Sequence, residues 1–488
     1  MRSRARPRGV CGFRTLLERL VVCACCAAAG ACNTAASGTP EGTGGVMPGP
    51  LSGSGGSQAN GGSQTNGGSQ ANGGLPVGTV PPGSSAGGVA NKSSHDAGQA
   101  PGTGGTADAA PARGPAPSRD GTRFPFPQNR ESSRCVYPRG YRNDRVQAAF
   151  AKWKTDTVTA SGAGGHLRVQ RPNEPGLEQG STVSEGIGYG MLIAVYMGDR
   201  ELFDELWKYE QLWLDDNGLM DWYINAAGTQ RLGTGAATDA DEDMAFALVM
   251  ADRQWGGQGT LDRPYLEYAR DQIRRFSEHE IFEGKLARAG DQWGDWNNVN
   301  ISYFAPSYYR VFANVDGNQA LWDAVLKTVY DTIDNALSAS NGNQANGLVP
   351  AWCTSQGVPG NPGTYQYDSC RTPFRIGLDW CFSGETRARD YVAKTSRFFA
   401  PLRAEGIADG YDLNGTPRPQ SPGKLSAAFI GPAGVGAMSD GAYSAFVDDA
   451  YQGLAGGQLL AGGAYYEESW TVLSLLMMTG NFVDYSAL

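Results

Sequence analysis

The chain has 488 residues, a formal net charge of −9, eleven Trp and only three His. Six Arg less Glu18 give the first 32 residues a charge of +5, so the remainder carries −14. A surface that acidic argues against nucleic acid or an anionic membrane face as partner and suits a neutral or cationic substrate.

Arg2, Arg4, Arg6, Arg8, Arg14 and Arg19 precede an apolar run from Leu20 to Ala31. A basic segment before a short apolar one reads as an export signal over residues 1–32. The run falls short of the roughly 20 apolar residues that span a bilayer. It ends Ala29-Gly30-Ala31-Cys32. Two readings follow: a lipoprotein signal with Cys32 as the lipid acceptor (Cys25 or Cys26 as alternatives), or ordinary cleavage after a small residue. Both imply a secreted or cell-surface protein.

Residues 33–122 are Gly, Ser, Pro, Ala and Asn with almost no large apolar side chains, and 55–72 repeat Gly-Gly-Ser-Gln-Ala-Asn three times, with Thr65 for Ala in the second copy. Such a segment cannot offset its ordering entropy and is expected to be a disordered, flexible linker. Five of the nine Cys fall in the signal, leaving Cys135, Cys353, Cys370 and Cys381. Their spacing is not that of a zinc site; outside the cytoplasm they allow up to two disulfides, with three pairings open.

Residues 123–488 are long enough for a large core and hold every Trp. Apolar residues recur at helical spacing: Ile187, Met191, Val195; Met244, Leu248, Ala251, Trp255; Leu321, Val325, Val329; Val472, Leu475, Met478. Gly, Pro and Asn clusters at 341–347 and 358–363 separate them. Without strand-helix alternation a parallel sheet is not expected, and an all-α toroid or barrel with functional residues in the connections is.

His95, His166 and His279 are too few for a hydrolytic triad or a zinc enzyme, and no elbow or zinc-binding motif is present. Three carboxylate segments stand among aromatics and glycines instead. Glu185, in Ser184-Glu185-Gly186-Ile187-Gly188-Tyr189-Gly190, opens a helix with Thr182 or Ser184 as cap. It either complements the helix dipole or, if a neighbouring like charge raises it, serves as a general acid. The alternating glycines imply close approach by a neighbouring helix or a sugar ring. Thr238-Asp239-Ala240-Asp241-Glu242-Asp243 crowds four carboxylates at one helix start. Met244 and Met250 stand where a calcium loop needs Gly and Glu, which rejects an EF-hand. Asp368, in Tyr365-Gln366-Tyr367-Asp368-Ser369-Cys370-Arg371, is either a capping residue or a base held by Arg371.

Together these stretches resemble glycoside hydrolase family 8. Ala237 to Leu248, continuing to Trp255, looks like that family's signature. Ser184-Glu185-Gly186, Asn300 to Tyr309, Tyr367-Asp368 with Arg371, and Thr471 to Phe482 look like further blocks in the family's order. The resemblance implies an (α/α)6 barrel with Glu185 as proton donor, Asp368 as base and Asp239 positioning the sugar. It also places Trp222, Trp293, Tyr303, Tyr367 and Arg371 along the cleft. Gln292 departs from it, since relatives often carry Arg before the Trp. The implied function is inverting endo-β-1,4-glucan hydrolysis by a monomer, with no metal or cofactor. Xylan, chitosan or mixed-linkage glucan are alternative substrates, and a surface lipoprotein that binds glycans without cutting them is the reading from another class. The scheme has Asp239 keep Glu185 protonated, Arg371 keep Asp368 ionised, and Asp243 stand outside the chemistry.

Overall fold

The computed structural model describes residues 121–174, 176–457 and 463–488. The expected signal, Cys32 and the linker up to residue 120 lie outside the described residues.

The fold is an all-α (α/α)6 barrel. Six helices are sheathed by solvent on one side: α1 (Asn143–Thr157), α3 (Arg200–Glu210), α5 (Tyr265–His279), α7 (Gln319–Ala336), α9 (Thr386–Phe399) and α12 (Ser444–Ala455). Each buries a single stripe. In α5 it is Tyr265, Tyr268, Ala269, Gln272, Ile273 and Phe276, the spacing of one helical face. The other six are buried nearly all round: α2 (Ser184–Met197), α4 (Thr238–Gln254), α6 (Pro306–Asp316), α8 (Thr372–Ser383), α11 (Ala427–Ala437) and α13 (Ala464–Met478), with the single turn α10 (Arg403–Gly406) preceding α11.

The buried helices close into a ring, α2 on α4, α4 on α6, α6 on α8, α8 on α11, α11 on α13 and α13 back on α2. Around it α3 packs on α2, α5 on α4, α7 on α6, α9 on α8, α12 on α11 and α1 on α13.

Connections at the two ends of the ring differ in length. Inner helices end abruptly: α2 on Gly198 (φ 78°) and α6 on Gly317 (φ 73°), left-handed residues that let the outer partner begin almost at once. The return connections into α2, α4, α6, α8 and α11 are long. All of them arrive at the N-terminal ends of the inner helices, so the loop-built face of the barrel is the face that six helix N-termini point toward.

Short antiparallel strands decorate that face. β1 (Val158–Thr159) pairs with β2 (Arg168–Val169), β3 (Thr182–Val183) with β4 (Asp221–Ile224), β4 with β5 (Arg231–Ala236), and β6 (Ile281–Phe282) with β7 (Leu286–Ala287). Cys135 is disulfide-bonded to Cys381 at the end of α8, and Cys353 and Cys370 are buried thiols. No helix among the described residues is long and apolar enough to cross a membrane.

Candidate active site

The three-stranded sheet β3-β4-β5 sets the spacing of two inner helices. β3 runs directly into α2, and β5 into α4. Glu185 and Asp239, each the second residue of its helix, are thereby brought side by side, and β4 between them carries Trp222. The expected caps are not used: Val183 occupies the cap position of α2 without a side-chain bond, and the Thr182 hydroxyl donates to the Val169 carbonyl.

The helix-start glycines answer to protein rather than sugar. A Cβ on Gly188 would stand 3.1 Å from the Ala240 carbonyl oxygen on α4, one on Gly186 3.0 Å from the Tyr465 ring, and one on Gly190 2.7 Å from Leu206.

Arg371, just before α8, reaches across to this pair. Its Nη1 donates to Asp239 Oδ2 at 2.5 Å and to Glu185 Oε2. The same nitrogen lies 3.1 Å from the Tyr189 hydroxyl, Nε donates to Ser302 Oγ at 3.2 Å, and the guanidinium lies 4.9 Å from the Tyr303 ring centroid. Glu185 Oε1 accepts from the Tyr465 hydroxyl on α13. Sequence reasoning assigned Arg371 to Asp368; the structure shows its guanidinium bridging Glu185 and Asp239, with Arg371 buried on the Tyr303 ring.

The two carboxyls are not equivalent. The Glu185 side chain is 16% exposed and that of Asp239 1%. Burial pushes the Asp239 carboxyl up to about 8; Arg371 pulls it down and Glu185 pushes it further up. The sequence-based scheme cast Asp239 as the ionised neighbour, whereas its deeper burial works against its charged form.

The remaining carboxylates of the α4 start are buried as well. Arg375 forms two bonds to Asp243, at 2.8 and 3.0 Å, and lies 3.1 Å from Glu242, whose other oxygen accepts from the Tyr309 hydroxyl at 2.8 Å. Asp243 is therefore a structural ion-pair member and no neutral control for mutagenesis. Asp241 accepts from Gln272 at 2.8 Å and is raised well above the usual range by burial and then by Glu280.

Glu185, Asp239, Asp368, Trp222 and Tyr367 line one cleft. Asp368 Oδ2 accepts from Gln366 Nε2 at 3.0 Å. The Tyr367 hydroxyl donates to Asp409 at 3.1 Å. Two carboxyls bridged by one guanidinium, with a third lining the same groove among Trp and Tyr rings, suit acid–base chemistry on a ligand with flat apolar faces.

The sequence profile of Glycosyl hydrolases family 8 matches residues 140–480. The chain belongs to that family. It is 37% identical over 343 residues to Endoglucanase A of Acetivibrio thermocellus, a match covering 69% of this chain and 69% of that protein. It is 35% identical over 345 residues to Endoglucanase C of Ruminiclostridium cellulolyticum, covering 70% and 72%. Among solved structures it resembles the apo β-1,3-1,4-glucanase of Paenibacillus sp. X4, with a TM-score of 0.66 at 29% identity, covering 73% of this chain and 98% of that one.

Within this family 8 glycoside hydrolase two expected cleft residues, Tyr303 and the partly exposed Trp293, pack together beside Arg371. Tyr303 is buried as the platform under Arg371. Trp293 packs with Tyr303, Ala289, Ala351 and Trp352 beside it. The site also contains residues that sequence reasoning missed. Tyr465, Tyr466, Arg171 and Glu174 line the cleft, and the Tyr466 hydroxyl donates to the Tyr367 carbonyl at 3.1 Å. Their signal was Gly463-Ala464-Tyr465-Tyr466-Glu467, a glycine entering a helix whose first turn bears two Tyr.

Proposed function

We propose that the chain is an inverting endo-β-1,4-glucanase acting outside the cytoplasm. The observation that carries this reading is that Glu185, Asp239 and Asp368 line one aromatic-walled cleft, with Arg371 tied to the first two. Breaking a glycosidic bond needs a proton on the leaving oxygen and a nucleophile at C1. The proton held at Asp239 passes to Glu185, the more exposed carboxyl of the pair, which delivers it to the leaving oxygen as the C1–O bond breaks. A water attacks C1 from the opposite face, forming the new C–O bond and passing its proton to Asp368. Inversion requires room for that water, with carboxyls roughly 6.5–9.5 Å apart. Trp222 and Tyr367 offer ring faces for the apolar faces of pyranose rings.

The endoglucanase relatives favour β-1,4-glucan. The Paenibacillus neighbour favours mixed-linkage glucan as the second reading. Export is supported by the Cys135–Cys381 disulfide, which cytosolic reductants would open, and by the basic-apolar start of the chain. Cys32 would then anchor a monomeric enzyme to the cell surface.

The test is hydrolysis of cello-oligosaccharides, xylo-oligosaccharides, chitosan and mixed-linkage glucan, with the anomer of the first-formed product followed by NMR. Glu185→Gln and Asp368→Asn should each lower kcat on the cleaved substrate by roughly a hundredfold or more. A retained anomer, or near-normal activity in either variant, would refute the scheme. Carbohydrate binding with no release of reducing sugar would favour the non-catalytic alternative.

A further inference from the structure

The groups that orient Asp368 come from its own segment and from the 409–420 loop, to which neither the composition nor the family blocks drew attention. Gln366, two residues before Asp368 and 6% exposed, donates its amide hydrogen to Asp368 Oδ2 at 3.0 Å. Its amide could face either way, since oxygen and nitrogen differ little in shape. The ionised carboxylate, which can only accept, turns the Gln366 amino group toward it, and Gln366 Oε1 then accepts from Gln420 Nε2 at 3.4 Å. Gln420 is anchored in turn. Its backbone N–H donates to Asp409 Oδ1 at 2.7 Å, and Asp409 Oδ2 accepts from the Tyr367 hydroxyl at 3.1 Å. A closed circuit thus runs from Asp368 through Gln366, Gln420 and Asp409 to Tyr367, the residue adjoining Asp368.

We infer that Gln366 is a positioning residue for the base Asp368 and that Gln420, on the 409–420 loop, holds its amide in place. The inference rests on Asp368 being the base. The physical role is twofold. A neutral donor on one carboxylate oxygen fixes the plane of the group, so that the other oxygen meets the attacking water in a constant direction. It also favours the ionised carboxylate without placing a cation beside a water that must become nucleophilic. An acidic residue at 366 would reverse the second effect, and an apolar one would remove both.

The experiment compares Gln366→Glu, Gln366→Leu and Gln420→Ala with the wild type, measuring kcat and KM against pH on a soluble β-glucan, alongside Tm. Gln366→Leu should lower kcat roughly ten- to a hundredfold with KM within about twofold, and move the acid limb of the kcat profile upward by about one pH unit. Gln366→Glu should move that limb further up. Gln420→Ala, on a half-buried loop side chain, should give a smaller shift in the same direction and serves if the Gln366 variants fold poorly. An acid limb unmoved in all three would overturn the inference, even with kcat reduced, because a purely structural role lowers activity without retuning the base. Full activity in Asp368→Asn would instead bring down the base assignment on which it stands.

Discussion

Arg371 Nη1 lies 2.5 Å from Asp239 Oδ2 and is shared with Glu185, so one cation serves two carboxyls. One positive charge cannot neutralise both, and the more buried member keeps a proton up to about pH 8. Activity that depends on that proton should fall as pH rises through about 8. The alkaline limb of kcat/KM in the free enzyme reports it. Asp239→Asn can neither hold nor relay the proton and removes the like charge beside Glu185. Its alkaline limb should move toward acid pH, with kcat at pH 7 lowered at least tenfold. An alkaline limb that stays in place in the variant would separate Asp239 from the proton inventory.

The approach of α2 to α4 at Gly188 is tight enough to test by one methyl group. In Gly188→Ala the new Cβ would stand 3.0 Å from Asp243 Cβ and 3.1 Å from the Ala240 carbonyl oxygen, neither of which is a flexible chain end. The helices must separate, at a cost of about 1–3 kcal/mol. Glu185 and Asp239 would separate with them. Denaturant unfolding should show the lost stability, and kcat/KM measured well below the unfolding midpoint should fall with it.

Glu210 is fully buried at the end of α3, its Oε2 accepting from Gln211 at 2.5 Å, and burial pushes its carboxyl up to about 8. The folded protein therefore retains a proton there that the unfolded chain releases near pH 4.5. Stability should decline between about pH 4.5 and 8, and the contribution should flatten above, where both states are ionised. Glu210→Gln removes this dependence. It should exceed the wild type in stability at pH 9 by more than about 1 kcal/mol while differing little at pH 5. Equal Tm differences at the two pH values would show that Glu210 is not the group responsible.

The disulfide closes a loop with a sequence separation of 246 residues, tying the segment before α1 to the end of α8. Cys135→Ser should cost about 2–5 kcal/mol. Because Cys381 lies at the far end of α8 from Arg371, activity measured below the lowered Tm should be unchanged.

What the sequence revealed depended on local chemistry. The helical stripes in α2, α4, α7 and α13 were readable because a 3.6-residue period survives even in helices buried all round. Glu185, Asp239 and Asp368 were singled out by the resemblance of their segments to the family's blocks, since the residues alone left dipole and capping roles open. The strands escaped notice: at two to six residues, Thr182–Val183 and its partners carry too little periodicity to register. The destination of Arg371 was also unreadable. It stands three residues from Asp368 in the chain, yet its guanidinium meets carboxyls 132 and 186 residues away. Proximity in sequence gave no sign of these two partners, which ring closure supplies. Tyr465 shares that difficulty, since nothing near it in the chain announces Glu185.

Closure of the ring between α13 and α2 joins the last inner helix to the first. Tyr465 therefore reaches Glu185 only after the final segment has docked. The two sides of the cleft meet only when the seam shuts, so the site comes into being as one event at the end of folding and not piece by piece.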